Sequence, residues 1–195
     1  ATGNSQLTFF QAIRSLPIDW SRVNLFHMDE YVGLPPTHPA SFPEFLRTHL
    51  VDHIKPRGFY PNNASTGIPE LICDAYTQLL KSFPPDLCIL GIGENGHIAF
   101  NDPPYADFQD PFWAKLVKLD LRSRRQQVRE GHFSSLRQVP TLALTLTIPA
   151  LLSASHMLCL VPEARKAEAV RKTLLGPIQP ACPASILRQA SHCQL

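Results

Sequence analysis

Three side chains suited to proton chemistry, Asn95, His97 and Asp102, fall within eight residues of one stretch, LGIGENGHIAFNDPP at residues 90–104. A solitary histidine is most often structural. One bracketed by an amide and a carboxylate on a glycine turn is instead placed to shuttle a proton, its second nitrogen held by a neighbour. The same stretch contains G-x-G-x-x-G as Gly91, Gly93 and Gly96. In a dinucleotide site the third glycine opens a helix whose N-terminus meets a pyrophosphate. Here HIAFNDPPYADFQDP follows, and its prolines and aspartates break a helix before a βαβ unit can form. These glycines read as a tight strand-exit turn that brings His97 to a sheet edge.

Three further groups complete the candidate chemistry. Asp29 and Glu30 follow the strand-like run RVNLFH. Acidic residues there often cap a turn, but a carboxylate at a strand end is also what proton abstraction beside a carbonyl requires. Thr2, Gly3, Asn4 and Ser5 precede an amphipathic run with Leu7, Phe10 and Ile13 on one face. This is either an anion site at a helix N-terminus or ordinary capping by Asn4 or Ser5. The basic candidates are Arg124, Arg125 and Arg129 after LVKLD, and Arg165 with Lys166 opening a helix after HMLCLV. Each is accounted for as a solvated charge, yet a cation in a first helical turn opposes the helix dipole, and a bound anion would explain Lys166.

The elements that must hold these groups are strands at RVNLFH, DLCILGI, LVKLD, LALTLT and HMLCLV, alternating with helical patterns over residues 41–54, 69–82 and 163–175. That alternation predicts an α/β fold of three αβα layers around a mostly parallel, doubly wound sheet. In such a sheet, ligands bind beyond the carboxyl ends of the strands, where all four groups fall. No repeat or linker divides the 195 residues, so one domain spanning 1–195 is expected. The opening loop, of a kind that normally follows a strand, suggests a chain lacking an N-terminal strand and helix and a C-terminal segment.

Composition narrows the function classes. The net charge is +2, and the basic residues are scattered apart from RSRRQQVR, with no aromatic interleaving, so no nucleic-acid partner is expected. The five cysteines are odd in number and form no C-x-x-C, which points to neither a disulfide framework nor a metal. LALTLTIPALL is too short and too interrupted to span a bilayer, and no signal peptide is visible, so a cytoplasmic protein without a membrane partner is expected. The sequon at residues 62–65 then reads as a turn.

HMDEYVGLPPTHPASF and GIGENGHIAFNDP together resemble the glucosamine-6-phosphate deaminase (isomerase) family, with its M-D-E-Y-V-G-L and G-x-G-x-D-G-H-I-A-F-N-E-P signatures. ATGNSQ is similar to the family's phosphate loop, VPTLALTLTIPALL to its V-P-x-x-A-L-T segment, and EARKAEAV to the helix carrying its phosphate-binding lysine. The resemblance implies conversion of glucosamine 6-phosphate, or a close analogue, to fructose 6-phosphate and ammonia without cofactor or metal. It makes Asp29 the base that moves a proton between C2 and C1, and His97 the acid/base of ring opening, supported by Asn95 and Asp102. Thr2, Gly3, Asn4, Ser5, Glu30, Gly93, Arg124 and Lys166 would bind the sugar phosphate. Family members can be hexamers, which leaves a homo-oligomer open.

Two residues depart from the pattern. Asn95 stands where the family has Asp, and Asp102 where it has Glu. An amide can orient an imidazole but adds no charge to stabilise an imidazolium, so slower ring opening is expected of a divergent subgroup. A one-methylene retreat at Asp102 is costly unless the backbone compensates. Two alternatives remain from the sequence. One is a 6-phosphogluconolactonase-type hydrolase, in which His97 activates water and Asp29 is a bystander. The other is a non-catalytic sugar-phosphate sensor.

Overall fold

A computed structural model describes residues 1–65, 67–103 and 105–195. The chain begins with a 3-10 turn (Asn4–Gln6) leading into α1 (Leu7–Arg14). The strands are β1 (Asn24–Phe26), β2 (Asp29–Tyr31), β3 (Gly58–Tyr60), β4 (Leu87–Leu90), β5 (Ala114–Lys118), β6 (Leu142–Leu146), β7 (His156–Cys159) and β8 (Cys193–Gln194). The helices after α1 are α2 (Phe42–Leu46), which continues through a π turn (Arg47–Val51) into α3 (Asp52–Ile54), then α4 (Pro69–Ser82), α5 (Leu121–Arg129), α6 (Ile148–Leu152) and α7 (Ala167–Leu175).

The expected helices are present, and local chemistry accounts for their limits. Ser41 caps α2, its hydroxyl accepting from the Glu44 N–H at 3.2 Å, and Pro43 sits in the first turn. Pro69 opens α4, whose Cys73, Tyr76 and Leu80 recur at helical spacing and are buried. They meet Leu90, Ile92, Met157, Cys159 and Ala169 in the main core. A second cluster gathers Tyr31, Phe100, Phe133, Val117 and Ala143, and a third joins Phe10 of α1 to Leu46, Leu50 and Ile54.

The ladders β1–β3, β4–β7 and β7–β8 are parallel, as the alternation predicts. The runs LVKLD and LALTLT behave differently: β5 and β6 are antiparallel, and β2 joins the other side of β6, also antiparallel. Lys118 at the end of β5 faces Leu142 at the start of β6, so the chain leaves and re-enters at the same end. The intervening helix α5 therefore sits at that end instead of making the crossover a parallel return needs. Its N-cap is Asp120, which accepts from the Arg122 N–H at 2.9 Å.

β6 brings the two motifs together. Thr145 pairs with Asp29 across the β2 ladder, and its hydroxyl accepts from the Phe100 N–H at 3.0 Å. Buried Asn101 donates to the carbonyls of Ile98 and Leu146 at 3.0 and 2.9 Å. The turn carrying His97 is thus tied to the strand beside Asp29. Among the described residues no helix is long and apolar enough to cross a membrane, and no group of three or more His, Cys, Asp or Glu is arranged to hold a metal ion.

Candidate functional site

Residues from six segments line one cleft: Thr2, Gly3, Asn4 and Ser5 before α1; Asp29 at the start of β2; Pro39, Ala40, Phe42 and Phe45 around the start of α2; Gly91, Gly93 and His97 after β4; Gln126 and Gln127 of α5 with its C-cap Glu130; and Glu163 with Lys166 before α7. The turn after β4 is shaped around the histidine. A Cβ built on Gly93 would lie 2.1 Å from Cε1 of His97, so the imidazole rests against the glycine's α-carbon. Gly96 holds φ at 86°, a conformation L side chains rarely adopt.

Behind the ring stands a polar network. His97 Nδ1 lies 2.6 Å from Asn95 Oδ1, 3.1 Å from Asp102 Oδ1 and 3.3 Å from the Ser123 hydroxyl. Asn95 Nδ2 and the Ser123 hydroxyl donate to the same Asp102 oxygen at 2.9 and 2.5 Å, and the Asp120 N–H donates to the other at 3.2 Å. Burial alone would raise the Asp102 pKa, but the imidazole and these donors outweigh it and hold the carboxyl at about 2. The negative charge that the amide at Asn95 does not provide is supplied by Asp102. Among the described residues Nε2 has no hydrogen-bond partner, which leaves it for a substrate.

Asp29 is 7% exposed, and burial pushes its pKa up to about 7, opposed in part by the nearby His97. A carboxylate poised near neutrality is suited to taking and returning a proton. Its backbone is fixed from behind: buried His27 donates from Nδ1 to the Asp29 carbonyl at 2.8 Å and accepts from the Asn62 N–H at Nε2 at 2.8 Å. Burial lowers the His27 pKa to about 4, so the ring is neutral in this role.

The far end of the cleft is charged. Glu130 receives Gln126 Nε2 at 2.7 Å and Arg165 at 2.9 Å on Oε1, with His132 at 3.5 Å from Oε2. Burial opposes ionisation there, yet these donors and the nearby Lys166 keep the Glu130 pKa at about 2. Lys166 is 6% exposed and lies 3.3 Å from Glu163 Oε2.

The structure brings together Thr2, Gly3, Asn4, Ser5, Asp29, Gly93, His97 and Lys166 at the cleft, with Asn95 and Asp102 in support behind the histidine. Two expected ligands lie elsewhere. Glu30 is turned away from the cleft, accepting from the Tyr31 and Phe42 N–H groups at 2.6 and 3.0 Å, so it ties β2 to α2; burial raises its pKa to about 8. Arg124 donates to the carbonyls of Leu136 and Val139, both at 2.8 Å, which anchors the segment after α5. Arg129 pairs with Glu94, and Arg125 is exposed. Among the described residues, Lys166 is thus the one Lys or Arg on the cleft lining. Sequence reasoning missed Ser123, Gln126, Gln127 and Glu130, although their i, i+3, i+4, i+7 spacing is the signal of a single helix face.

Comparison with known proteins identifies the family. The model of the family described as glucosamine-6-phosphate isomerases/6-phosphogluconolactonase matches residues 2–194. A glucosamine-6-phosphate deaminase of Exiguobacterium sibiricum is 38% identical over 189 residues, covering 97% of this chain and 73% of the relative. One of Bacillus cytotoxicus is 36% identical over 97% of this chain and 70% of its own. Among solved structures, a monomeric glucosamine-6-phosphate deaminase superposes with a TM-score of 0.92 at 32% identity, covering 98% of this chain and 80% of that one. A 6-phosphogluconolactonase of Shewanella baltica shares the fold at a TM-score of 0.76 and 22% identity, covering 98% of this chain and 78% of its own. The α/β fold is therefore that of the deaminases, and the chain belongs to the glucosamine-6-phosphate isomerase/6-phosphogluconolactonase family.

Proposed function

We propose that this protein is an amino-sugar phosphate isomerase-deaminase that converts glucosamine 6-phosphate and water to fructose 6-phosphate and ammonia, acting as a single domain. One observation carries the reading: a buried carboxyl with a pKa near 7, Asp29, shares a cleft with an imidazole whose Nδ1 is engaged and whose Nε2 is not. In this mechanism His97 Nε2 exchanges a proton with the ring oxygen as the pyranose opens. Asp29 takes the proton from C2 and delivers it to C1, so the C1 aldehyde becomes an alcohol and the C2 amine becomes an imine. Water then adds at C2 and ammonia leaves, which makes C2 the ketone of fructose 6-phosphate. The backbone N–H groups around Thr2, Gly3, Asn4 and Ser5, with Lys166, hold the 6-phosphate.

The test is ammonia release from glucosamine 6-phosphate, assayed beside hydrolysis of 6-phosphogluconolactone. Ammonia with negligible lactone hydrolysis supports the deaminase. The reverse result supports a hydrolase, and binding without turnover supports a sensor.

A further inference from the structure

Two carboxylates approach the cationic end of the cleft, and their surroundings differ. Both Glu130 oxygens face donors or a ring N–H: Gln126, Arg165 and His132. Glu163 is held on one side only. Its Oε1 receives Arg165 at 2.6 Å, while Oε2 is buried without a hydrogen bond and lies 3.3 Å from the Lys166 ammonium. Among the described residues Lys166 is the one Lys or Arg lining the cleft, and its charge is answered by this oxygen.

We propose that Glu163 is a specificity-determining residue, an internal counter-ion that competes with the substrate's phosphate for Lys166. A dianionic phosphate reaching Lys166 meets like charge from Glu163, which must swing its free oxygen aside while Oε1 stays with Arg165. A neutral hydroxymethyl group meets no such repulsion and can donate to the same oxygen. Glu163 therefore narrows the cleft's preference for phosphorylated over unphosphorylated amino sugars. Glu130 does not serve this way, because its donors already fix it.

The inference rests on the phosphate lying at Lys166, as in the deaminase reading, and the experiment separates the two. Binding of fructose 6-phosphate and of inorganic phosphate is measured by calorimetry for the intact protein, Glu163→Gln, Glu163→Ala, and each change combined with Lys166→Met. Ammonia release from glucosamine 6-phosphate and glucosamine is measured alongside. Either change at Glu163 should tighten fructose 6-phosphate binding by about threefold to tenfold, the range expected for removing one partly buried charge contact. It should raise the ratio of kcat/KM for phosphorylated over unphosphorylated substrate to a similar degree, through KM. The gain should vanish in the Lys166→Met background. Unchanged or weaker binding in both variants, no measurable binding at all, or an equal gain without Lys166 overturns the proposal. If no protein releases ammonia but fructose 6-phosphate binding still responds to Glu163 as described, the deaminase reading fails and the counter-ion role stands.

Discussion

The carboxylate of Asp102 lies 3.1 Å from Nδ1 of His97, closing a network in which Asn95 and Ser123 donate to the same oxygen. The family pattern places a carboxylate at position 95, two residues before the histidine. Here an amide there orients the ring and aligns Asp102, while Asp102 provides the charge. Ser123, reaching over from the first turn of α5, is the third donor that keeps Asp102 ionised.

Removing that donor should separate chemistry from binding. Ser123→Ala is expected to lower kcat for ammonia release about tenfold and to leave KM within about twofold, because a charge-assisted hydrogen bond of ~1.5 kcal/mol is lost from a group that touches only the histidine and its partner. Steady-state kinetics check this. A loss falling on KM alone would remove Ser123 from the proton path.

Asp29 sets the acid side of the pH profile. Its pKa is raised to about 7, so below neutrality it becomes protonated and cannot accept a proton. Accordingly kcat/KM should fall about tenfold per pH unit below pH 7. Asp29→Asn should lose on the order of a thousandfold in kcat, with fructose 6-phosphate binding within about threefold of the parent. Near-full turnover by this variant would take Asp29 out of the mechanism.

Lys166→Ala should raise KM for glucosamine 6-phosphate by about ten- to a hundredfold, as expected for loss of a buried charge on an anion. Turnover of unphosphorylated glucosamine should change far less. Equal losses on both sugars would contradict a phosphate role.

His27 supplies a stability signature. Its folded pKa of about 4 is depressed below the ordinary value near 6.5, so the folded state binds fewer protons than the unfolded one between these values. The stability it contributes is fully present above pH 6.5 and is lost as pH falls through 4, amounting to about 3 kcal/mol by linkage. His27→Leu should flatten that slope in urea denaturation between pH 6.5 and 4. It should also cost roughly 2–4 kcal/mol at pH 7, because the Asn62 N–H and the Asp29 carbonyl lose their partner.

How far the sequence went depended on whether a residue's role is local. Asp29 and His97 sit in contiguous motifs at strand ends, and the helices over residues 41–54 and 69–82 carry their caps and periodicity in the local text. The antiparallel β5–β6–β2 unit was not legible, because a helix between two strands is written the same way whether it crosses over or caps one end. Arg124 and Glu30 were read as ligands by carrying the family resemblance over to their positions. Their partners, the carbonyls of Leu136 and Val139 and the N–H groups of Tyr31 and Phe42, are set by tertiary contact. Ser123 was missed for a third reason, that its stripe is polar and helical periodicity is ordinarily sought among apolar residues.

The imidazole seated on the α-carbon of Gly93 also bears on how this enzyme could change over time. Every other amino acid at position 93 would press its first side-chain carbon onto the face of the imidazole and force the histidine out of its place. New specificities must be reached by neighbours that leave this seat intact, and Gln126 and Gln127 of α5 and Glu163 before α7 line the same cleft. Selection for altered substrates, in nature or in a laboratory library, should accordingly accumulate changes at Gln126, Gln127 and Glu163 while Gly93 stays fixed.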